Sequence, residues 1–432
     1  GGCAYQPSEL ATAYNFNALY AKGLNGAGQT IVIVDAFGSP TLAQDVALFD
    51  RIYGLPAANI TTYNVNVTGV APRQNAGFAG ETTLDVEWAH AVAPGANIAL
   101  VLAADNTFTN LNAAVQFAIE HNLGPAISNS YGAPENLIDA GTFAETEAVV
   151  AEGAAAGISV NYSSGDDGDF SIDEGQGITT VSYPSGSPFA TSVGGTSLFV
   201  NPDNTINFQT GWGLNLVVLN SATTFPFPDS TFDEGLGFFF GAGGGASAVF
   251  PKPHFQRRQP GDTRQQPDIG YLADPETGVE IIQTINVGTP NQRTVVEGIG
   301  GTSLACPLFS ALWTIAAQAA GGGNIGQAAQ IVYELGDGAI TDIRQVSSPN
   351  NVTGVITGPN GTIRLRAADV AQPLFDTRKF VSALLGNNEV ITFGTDSSLT
   401  VDNGWDNVTG LGTPNAPVFV ERVVKELRKG KN

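Results

Sequence analysis

Gln29-Thr30-Ile31-Val32-Ile33-Val34-Asp35 is a β-branched apolar run that ends in the turn Phe37-Gly38-Ser39-Pro40. It has the length of a strand and no polar face, so it reads as a strand buried on both sides. Asn97 to Leu102 (NIALVL) repeats the pattern, and Ala126 to Ser130, Ile158 to Tyr162 and Ala190 to Val193 follow. Between them the residue spacing predicts helices near Thr82 to Val92, Leu111 to Ile119 and Phe143 to Ala155. Strands of this kind alternating with helices predict an α/β fold, with a mostly parallel central sheet flanked by helices. Sites on such sheets lie outside the carboxyl ends of the strands.

Outward from this core the chain changes character. Residues 201 to 245 are rich in Asn, Thr, Phe and Gly, which predicts long loops and short strands. An apolar helix is predicted from Ser303 to Ala320, and an amphipathic one with a basic tail from Ala416 to Leu427. Residues 344 to 400 read as a second loop and β insertion. No repeat and no long linker interrupts the chain, so residues 1 to 432 are taken as one domain. The longest apolar stretch, Leu304 to Ala317, is broken by Pro307, Ser310 and Thr314 and is too short to span a bilayer.

Charge narrows the function. The 432 residues carry 40 acids against 18 Lys plus Arg, a formal net charge of -22. Such a surface repels phosphate backbones and excludes nucleic acid as a partner. Only 13% of residues are charged, against about 25% in an ordinary domain. Few charges, mostly acidic, suit work in acid, where carboxylates become neutral; plain solubility accounts for the same excess equally well. The chain begins Gly-Gly-Cys and contains no Met. It reads as the mature form of an exported protein. Cys3 and Cys306 could be bridged or free. Sequons stand at Asn59, Asn66, Asn161, Asn351, Asn360 and Asn407.

Three segments could carry chemistry. Gly300-Gly301-Thr302-Ser303-Leu304-Ala305-Cys306-Pro307 opens the apolar helix. A serine there has an exposed Oγ beside backbone N–H groups that can hold an oxyanion; a plain helix-capping serine is the structural alternative. A serine nucleophile needs a base. His90, His121 and His254 are the only histidines, and each reads as a surface or structural residue. Glu81 and Asp85 stand four apart on a predicted helix and share a face with Trp88 and Val92. Buried together, two carboxyls can share a proton; on an open face they would merely be solvated. Ser163-Ser164-Gly165-Asp166-Asp167-Gly168 follows a predicted strand, where sites form, although Gly-Asp-Asp-Gly is also ordinary turn chemistry.

Taken in order along the whole chain, these segments resemble the sedolisin family of serine-carboxyl peptidases. The resemblance rests on Gly28 to Val34, Glu81-x-x-x-Asp85 followed by Ala91-Val92-Ala93-Pro94-Gly95-Ala96, and Ser164-Gly165-Asp166. It continues through Gly194-Gly195-Thr196, Phe250-Pro251-x-Pro253, Pro267-Asp268, Gly301-Thr302-Ser303 and Gly404-Trp405-Asp406 with Thr409-Gly410-Leu411-Gly412. It implies a subtilisin-like fold and a catalytic set in which Ser303 is the nucleophile and Glu81 the general base and acid. Asp85 would orient Glu81, and a protonated Asp166 would take the oxyanion position.

The family also carries one structural Ca²⁺. Its carboxylate positions match Asp342 and Asp406, and its backbone carbonyl positions match Ile343, Asp402 and Gly404. Asp402 stands where the family has Gly, and the stretch Arg344 to Leu399 between the two halves of the set is longer than usual. Asp35 and Tyr131 occupy positions that extend the hydrogen-bond chain beyond the triad in some members, where Glu and Trp stand; Asp35 is one methylene shorter. Ser182, before Tyr183-Pro184, stands where members that cleave after basic residues can carry Asp, so a neutral or apolar P1 residue is expected.

The resulting expectation is a secreted, monomeric endopeptidase active in acid, cleaving polypeptides through an acyl-enzyme. Its own propeptide is a partner during maturation, and no membrane or nucleic acid is a partner. A tripeptidyl exopeptidase of the same family, a His-dependent subtilisin-like peptidase and a non-catalytic Ca²⁺-stabilised adhesin are the alternatives.

Overall fold

The computed structural model describes residues 4–71, 73–171, 177–218, 237–336, 338–344, 353–358, 361–366, 381–385, 389–393 and 398–429. In chain order the first part runs α1 (Pro7–Ala13), α2 (Asn17–Tyr20), β1 (Thr30–Ala36), α3 (Leu42–Tyr53), β2 (Asn59–Val65), α4 (Ala76–Val92), β3 (Asn97–Ala103), α5 (Phe108–Glu120) and β4 (Ala126–Asn129). Next come β5 (Ala133–Pro134), α6 (Ala140–Ala155), β6 (Ser159–Ser163), β7 (Ser182–Tyr183), β8 (Thr191–Val200), β9 (Ile206–Gly211), β10 (Gly213–Val218) and β11 (Gly237–Gly241). They are followed by β12 (Gly245–Pro251), β13 (Thr263–Gln266), β14 (Ile269–Leu272), the hairpin β15 (Val279–Ile285) and β16 (Arg293–Ile299), α7 (Thr302–Ala320) and α8 (Ala328–Val332). The last strands are β17 (Ile340–Thr341), β18 (Thr353–Gly358), β19 (Gly361–Arg366), β20 (Val381–Leu385), β21 (Glu389–Phe393) and β22 (Thr413–Pro414), before a C-terminal helix, Ala416–Lys429.

The central sheet has the order β14-β8-β6-β4-β1-β3-β2, with β9 added to β8. Every pairing along that path is parallel, and β9 alone is antiparallel. Alternate residues of β1 explain why. Ile31 and Ile33 enter one core with Leu84, Val86 and Trp88 of α4 and the apolar length of α7. Val32 and Val34 enter the other with Leu111 and Val115 of α5 and Val149 and Val150 of α6. Both faces of the strand are dry, as a continuous apolar run requires. β2, the edge strand, reads Asn-Ile-Thr-Thr-Tyr-Asn-Val and is largely exposed, which is why its pattern is invisible beside β1 and β3.

Helix starts fall earlier than the apolar spacing alone suggests, because caps set them. Asn75 accepts from Phe78 N at 3.2 Å and starts α4 at Ala76; Asp139 accepts from Gly141 N and Thr142 N and starts α6 at Ala140. α4 also lacks the single apolar stripe expected of it. Almost everything from Gly80 to Val92 is buried, polar groups included, because α3, α7 and β15 all pack on it. α7 has the length and hydropathy to cross a membrane, yet 78% of its apolar window is buried inside the fold.

The two predicted insertions meet. β10 and β11 come from the first, β20 and β21 from the second, and they form one sheet in the order β11-β10-β21-β20. Residues 219–236 of the first insertion lie outside the described residues, as do the side chains of most of the second.

Candidate active site

The site is built where β1, β4 and β6 end and where α4 and α7 face each other. Ser303 is the second residue of α7. Gly301 precedes the helix at φ +101°, a conformation side chains rarely adopt, and a Cβ there would stand 2.8 Å from Asp166 Oδ2. Pro307, four residues on, has no N–H to close the helical bond to the Ser303 carbonyl. That carbonyl is met by another group: Ser130 Oγ lies 3.3 Å from it. Ser130 follows β4 and donates a shorter bond, 2.8 Å, to Asp85 Oδ2. One hydroxyl thus ties the helix that carries the serine to the helix that carries the acids.

Three carboxyls gather behind Ser303. Asp85 is fully buried, and its Oδ1 has no partner. Asp35, at the end of β1, is also fully buried, and neither of its oxygens completes a hydrogen bond; the Thr82 hydroxyl approaches it without closing one. Glu81 is half-buried, with Oε1 enclosed and unpartnered. The Ser303 hydroxyl lies beside its carboxyl and favours the ionised form. Burial first, and then repulsion from Asp35, push Glu81 up to about 8. Burial pushes Asp35 up to about 7. Burial, Asp35 and Glu81 together hold Asp85 well above the usual carboxylate range. Groups this close titrate as a unit and keep protons in weak acid.

Asp166 follows β6. Its Oδ1 accepts from Thr302 N at 2.8 Å and from Thr302 Oγ at 2.7 Å. Burial raises its pKa, and the two Thr302 bonds oppose the rise. With Oδ1 occupied as an acceptor, a proton on the acid belongs on Oδ2, the oxygen that faces Gly301 and the start of α7. The same imaginary Gly301 Cβ would stand 3.5 Å from Ser303 Cβ, so Oδ2 lies on the Ser303 side. Ser303, Glu81, Asp85 and Asp166 are therefore brought together, with Asp35 behind them.

The other expected positions fall as follows. The Tyr131 hydroxyl donates to Asn129 Oδ1 at 3.1 Å, and its ring meets Tyr162 edge-on at 5.6 Å. Burial, and to a lesser degree Tyr162 and Asp35, keep it a neutral phenol. Ser182 is buried behind Gly132, and its backbone carbonyl accepts from Gln266 Nε2 at 3.0 Å. No histidine enters the site. His90 is buried on the far side of α4, 2.8 Å from the Pro56 carbonyl and 3.2 Å from Asp50. His121 stacks on Phe117, and His254 is exposed. Cys306 is a free buried thiol, and Cys3 lies outside the described residues. Asn161 is fully buried and bonded to Ser310, so its sequon is closed in the folded chain.

Sequence reasoning missed Ser130 and Thr302, the two hydroxyls that orient Asp85 and Asp166. Each stands next to a feature that was legible: Ser130 at the end of a buried strand, Thr302 beside the candidate nucleophile.

Near the C-terminus, Asp342 and the Asp402–Asp406 loop come together. Gly404 N donates to Asp342 Oδ1 at 3.0 Å, and Arg344 Nε to Oδ2 at 2.9 Å. Asp406 is buried and accepts from Val408 N, Thr409 N and Thr409 Oγ. Burial pushes it up to about 7 despite those bonds, and Asp342 adds repulsion. Asp402 is exposed, and Ile343 is buried. Two acids that repel across a loop suit a hard cation. No group of three or more His, Cys, Asp or Glu side chains is arranged to hold a metal ion among the described residues, so backbone carbonyls would have to complete the ligand set.

With this geometry in view, the comparisons with known proteins converge. The subtilase family profile matches residues 70–346. Kumamolisin of Bacillus sp. (strain MN-32) is 32% identical over 324 residues, covering 72% of this chain and 51% of that protein. Sedolisin of Pseudomonas sp. (strain 101) is 29% identical over 361 residues, covering 81% and 56%. Tripeptidyl-peptidase 1 of Bos taurus is 24% identical over 397 residues, covering 88% and 57%. The chain thus spans about half the length of the curated relatives it matches. The solved Pseudomonas sedolisin, a serine-carboxyl proteinase in complex with pseudo-iodotyrostatin, shares its fold with a TM-score of 0.70 at 22% identity, covering all of both chains. The chain belongs to the subtilase family, on its sedolisin branch.

Proposed function

We propose that this chain is an acid-active serine-carboxyl endopeptidase that hydrolyses polypeptides through an acyl-enzyme on Ser303. The observation that carries the reading is Ser303 at a helix N-terminus, set between a buried carboxyl cluster and Asp166. Glu81 takes the hydroxyl proton as Ser303 Oγ attacks the scissile carbonyl, and returns it to the leaving amine. The three carboxyls act as one unit: Asp85 and Asp35 hold its protons, and its single negative charge rests on Glu81, whose ionised form the Ser303 hydroxyl favours. The tetrahedral oxygen is met by the Asp166 Oδ2–H and by the backbone N–H of Ser303, since the Thr302 and Leu304 N–H groups are already given to Asp166 Oδ1 and the Gly301 carbonyl. Water repeats the sequence on the acyl-enzyme.

Calcium belongs to the proposal as a structural ion. Asp342 and Asp406 would hold it, with backbone oxygens of the 402–404 loop and Ile343. It takes no part in the proton movements above. The sparse, acidic charge suits secretion into an acidic medium, and a propeptide is the maturation partner expected of the family.

Digestion of an unfolded protein at pH 4, with every cleavage mapped, tests the reading. Internal cuts that vanish in Ser303→Ala and Glu81→Gln are expected, with all three histidine variants active. Release of tripeptides alone would replace the endopeptidase with a tripeptidyl peptidase; no cleavage by folded protein would sink both. The P1 residues should be apolar or neutral, because Ser182 offers a substrate cation no counter-charge and burying one unpaired is costly. A map dominated by Arg and Lys at P1 would contradict that assignment.

A further inference from the structure

We infer that Glu135 is a positioning residue: its buried carboxylate clamps the segment Gly132–Pro134 to β12 and so sets how tightly an extended peptide is held beside Ser303. The inference rests on the peptidase reading above and adds a determinant of affinity that lies outside the catalytic set.

The segment from Ser130 to Glu135 is held at both ends. At one end Ser130 bonds Asp85 and lies against the Ser303 carbonyl. At the other, Glu135 is 2% exposed. Its Oε1 accepts from Ser247 Oγ at 2.6 Å and its Oε2 from Ala248 N at 2.8 Å. Its own N–H donates to the Val181 carbonyl at 2.8 Å. Ser247 Oγ in turn accepts from Val249 N at 3.0 Å and Phe250 N at 2.9 Å. A hydroxyl that already accepts twice has only its proton left to give. Both Glu135 oxygens therefore face obligate donors, a demand that a carboxylate meets and an amide does not.

Between the anchors, β5 pairs with β7 through Ala133↔Tyr183 and Pro134↔Ser182. Its other edge has no strand partner among the described residues, and a peptide can add there as a further strand. Gly132 is exposed, and a Cβ on it would stand 2.4 Å from Ser182 Oγ. Ser182 also backs Gly165, at 3.4 Å from the Cβ position there, directly before Asp166. One clamp thus governs a wall that runs from Ser303 to the oxyanion residue. No ion pair shares the load among the described residues. The charged or titratable groups around Glu135 are Glu147 on α6, which the Glu135 carboxyl repels, and Tyr183 on β7, whose hydroxyl donates to Glu147 at 3.0 Å.

The test compares Glu135→Gln, Glu135→Ala and Ser247→Ala with the parent, using peptides of increasing length, at the highest pH at which the parent still cleaves, because burial raises the Glu135 pKa and the clamp needs the carboxylate. Active sites are titrated with a peptide aldehyde, so a misfolded fraction drops out of kcat. Loss of the clamp should raise KM about tenfold for long peptides, the worth of one to two hydrogen bonds, with kcat per titrated site nearly constant. In a Ser303→Ala background, calorimetry should read a matching rise in Kd, whatever the chemistry at Ser303 proves to be. Unchanged KM and Kd in folded Glu135→Gln and Ser247→Ala would overturn the inference, as would a loss confined to the titratable fraction. Should Glu135→Ala fail to fold, Ser247→Ala decides, since it removes one donor and leaves the carboxyl. A parent that binds peptide through Glu135 but cleaves none would sink the peptidase reading and leave this one standing.

Discussion

Asp166 has to satisfy two demands with two oxygens. Oδ1 accepts from Thr302 and holds the start of α7, and under the proposed reaction Oδ2 would donate to the developing oxyanion. Only the protonated acid does both. Burial raises its pKa, so the proton stays into weakly acidic conditions and is lost as pH climbs through the raised value. The deprotonated group would repel the oxyanion it should stabilise. Asp166→Asn keeps the Oδ1 acceptor and supplies a donor at any pH. It should therefore retain on the order of 10²-fold more activity than Asp166→Ala. Its activity should also extend to higher pH than that of the parent. Equal residual rates in folded Asn and Ala variants would remove Asp166 from the oxyanion site.

The interface of α3, α4 and β15 carries a second buried group of acids, away from the reaction. Glu87 is fully buried; its Oε2 accepts from Ile282 N at 3.0 Å and its Oε1 has no partner. Asp45, held by Thr41 and Thr284, and Asp50, held by Ala58 and His90, stand near it. Burial, then repulsion from Asp45 and Asp50, push Glu87 up to about 9. The folded chain therefore binds this proton more tightly than the unfolded chain does. Stability is full below the ordinary glutamate range and falls as pH rises from there towards 9, a loss of about 3 kcal/mol at pH 7. Glu87→Gln should raise the melting temperature by several degrees at pH 7 and leave it unchanged at pH 3. An equal shift at both pH values would show that packing, not titration, is the cause.

On the scale of the molecule, the C-terminal loop is joined to the body through short contacts. Among the described residues β17 pairs only with β22, and Asp342 reaches the Asp402–Asp406 loop through the Gly404 N–H. A cation bridging Asp342 and Asp406 would bind the folded chain alone and stabilise it by mass action. Chelation near neutral pH should lower the melting temperature, with Ca²⁺ restoring it and Asp342→Asn abolishing the response. A melting temperature indifferent to verified metal removal would discard the structural ion. The same scale explains the insertions. Neither insertion alone supplies the four-stranded sheet; β10 and β21 must meet to form it.

The sequence by itself determined the sheet and its helices, because an apolar run such as Gln29 to Asp35 has only one stable environment, a strand covered on both faces. Its order of motifs also determined the family and singled out Ser303, Glu81, Asp85 and Asp166 as the candidate set. Those residues have characteristic neighbours in the chain, and neighbours in the chain are what a sequence displays. Ser130 and Thr302 stayed hidden as orienting groups, since a serine after a strand looks like any other until Asp85 and the Ser303 carbonyl are placed beside it. The clamp at Glu135 was hidden for the same reason: its partners are more than a hundred residues away. The burial of Asp35, Asp85 and Glu87 was also decided by the tertiary structure. Local spacing gives a carboxyl its direction, but only packing removes the water that sets its charge.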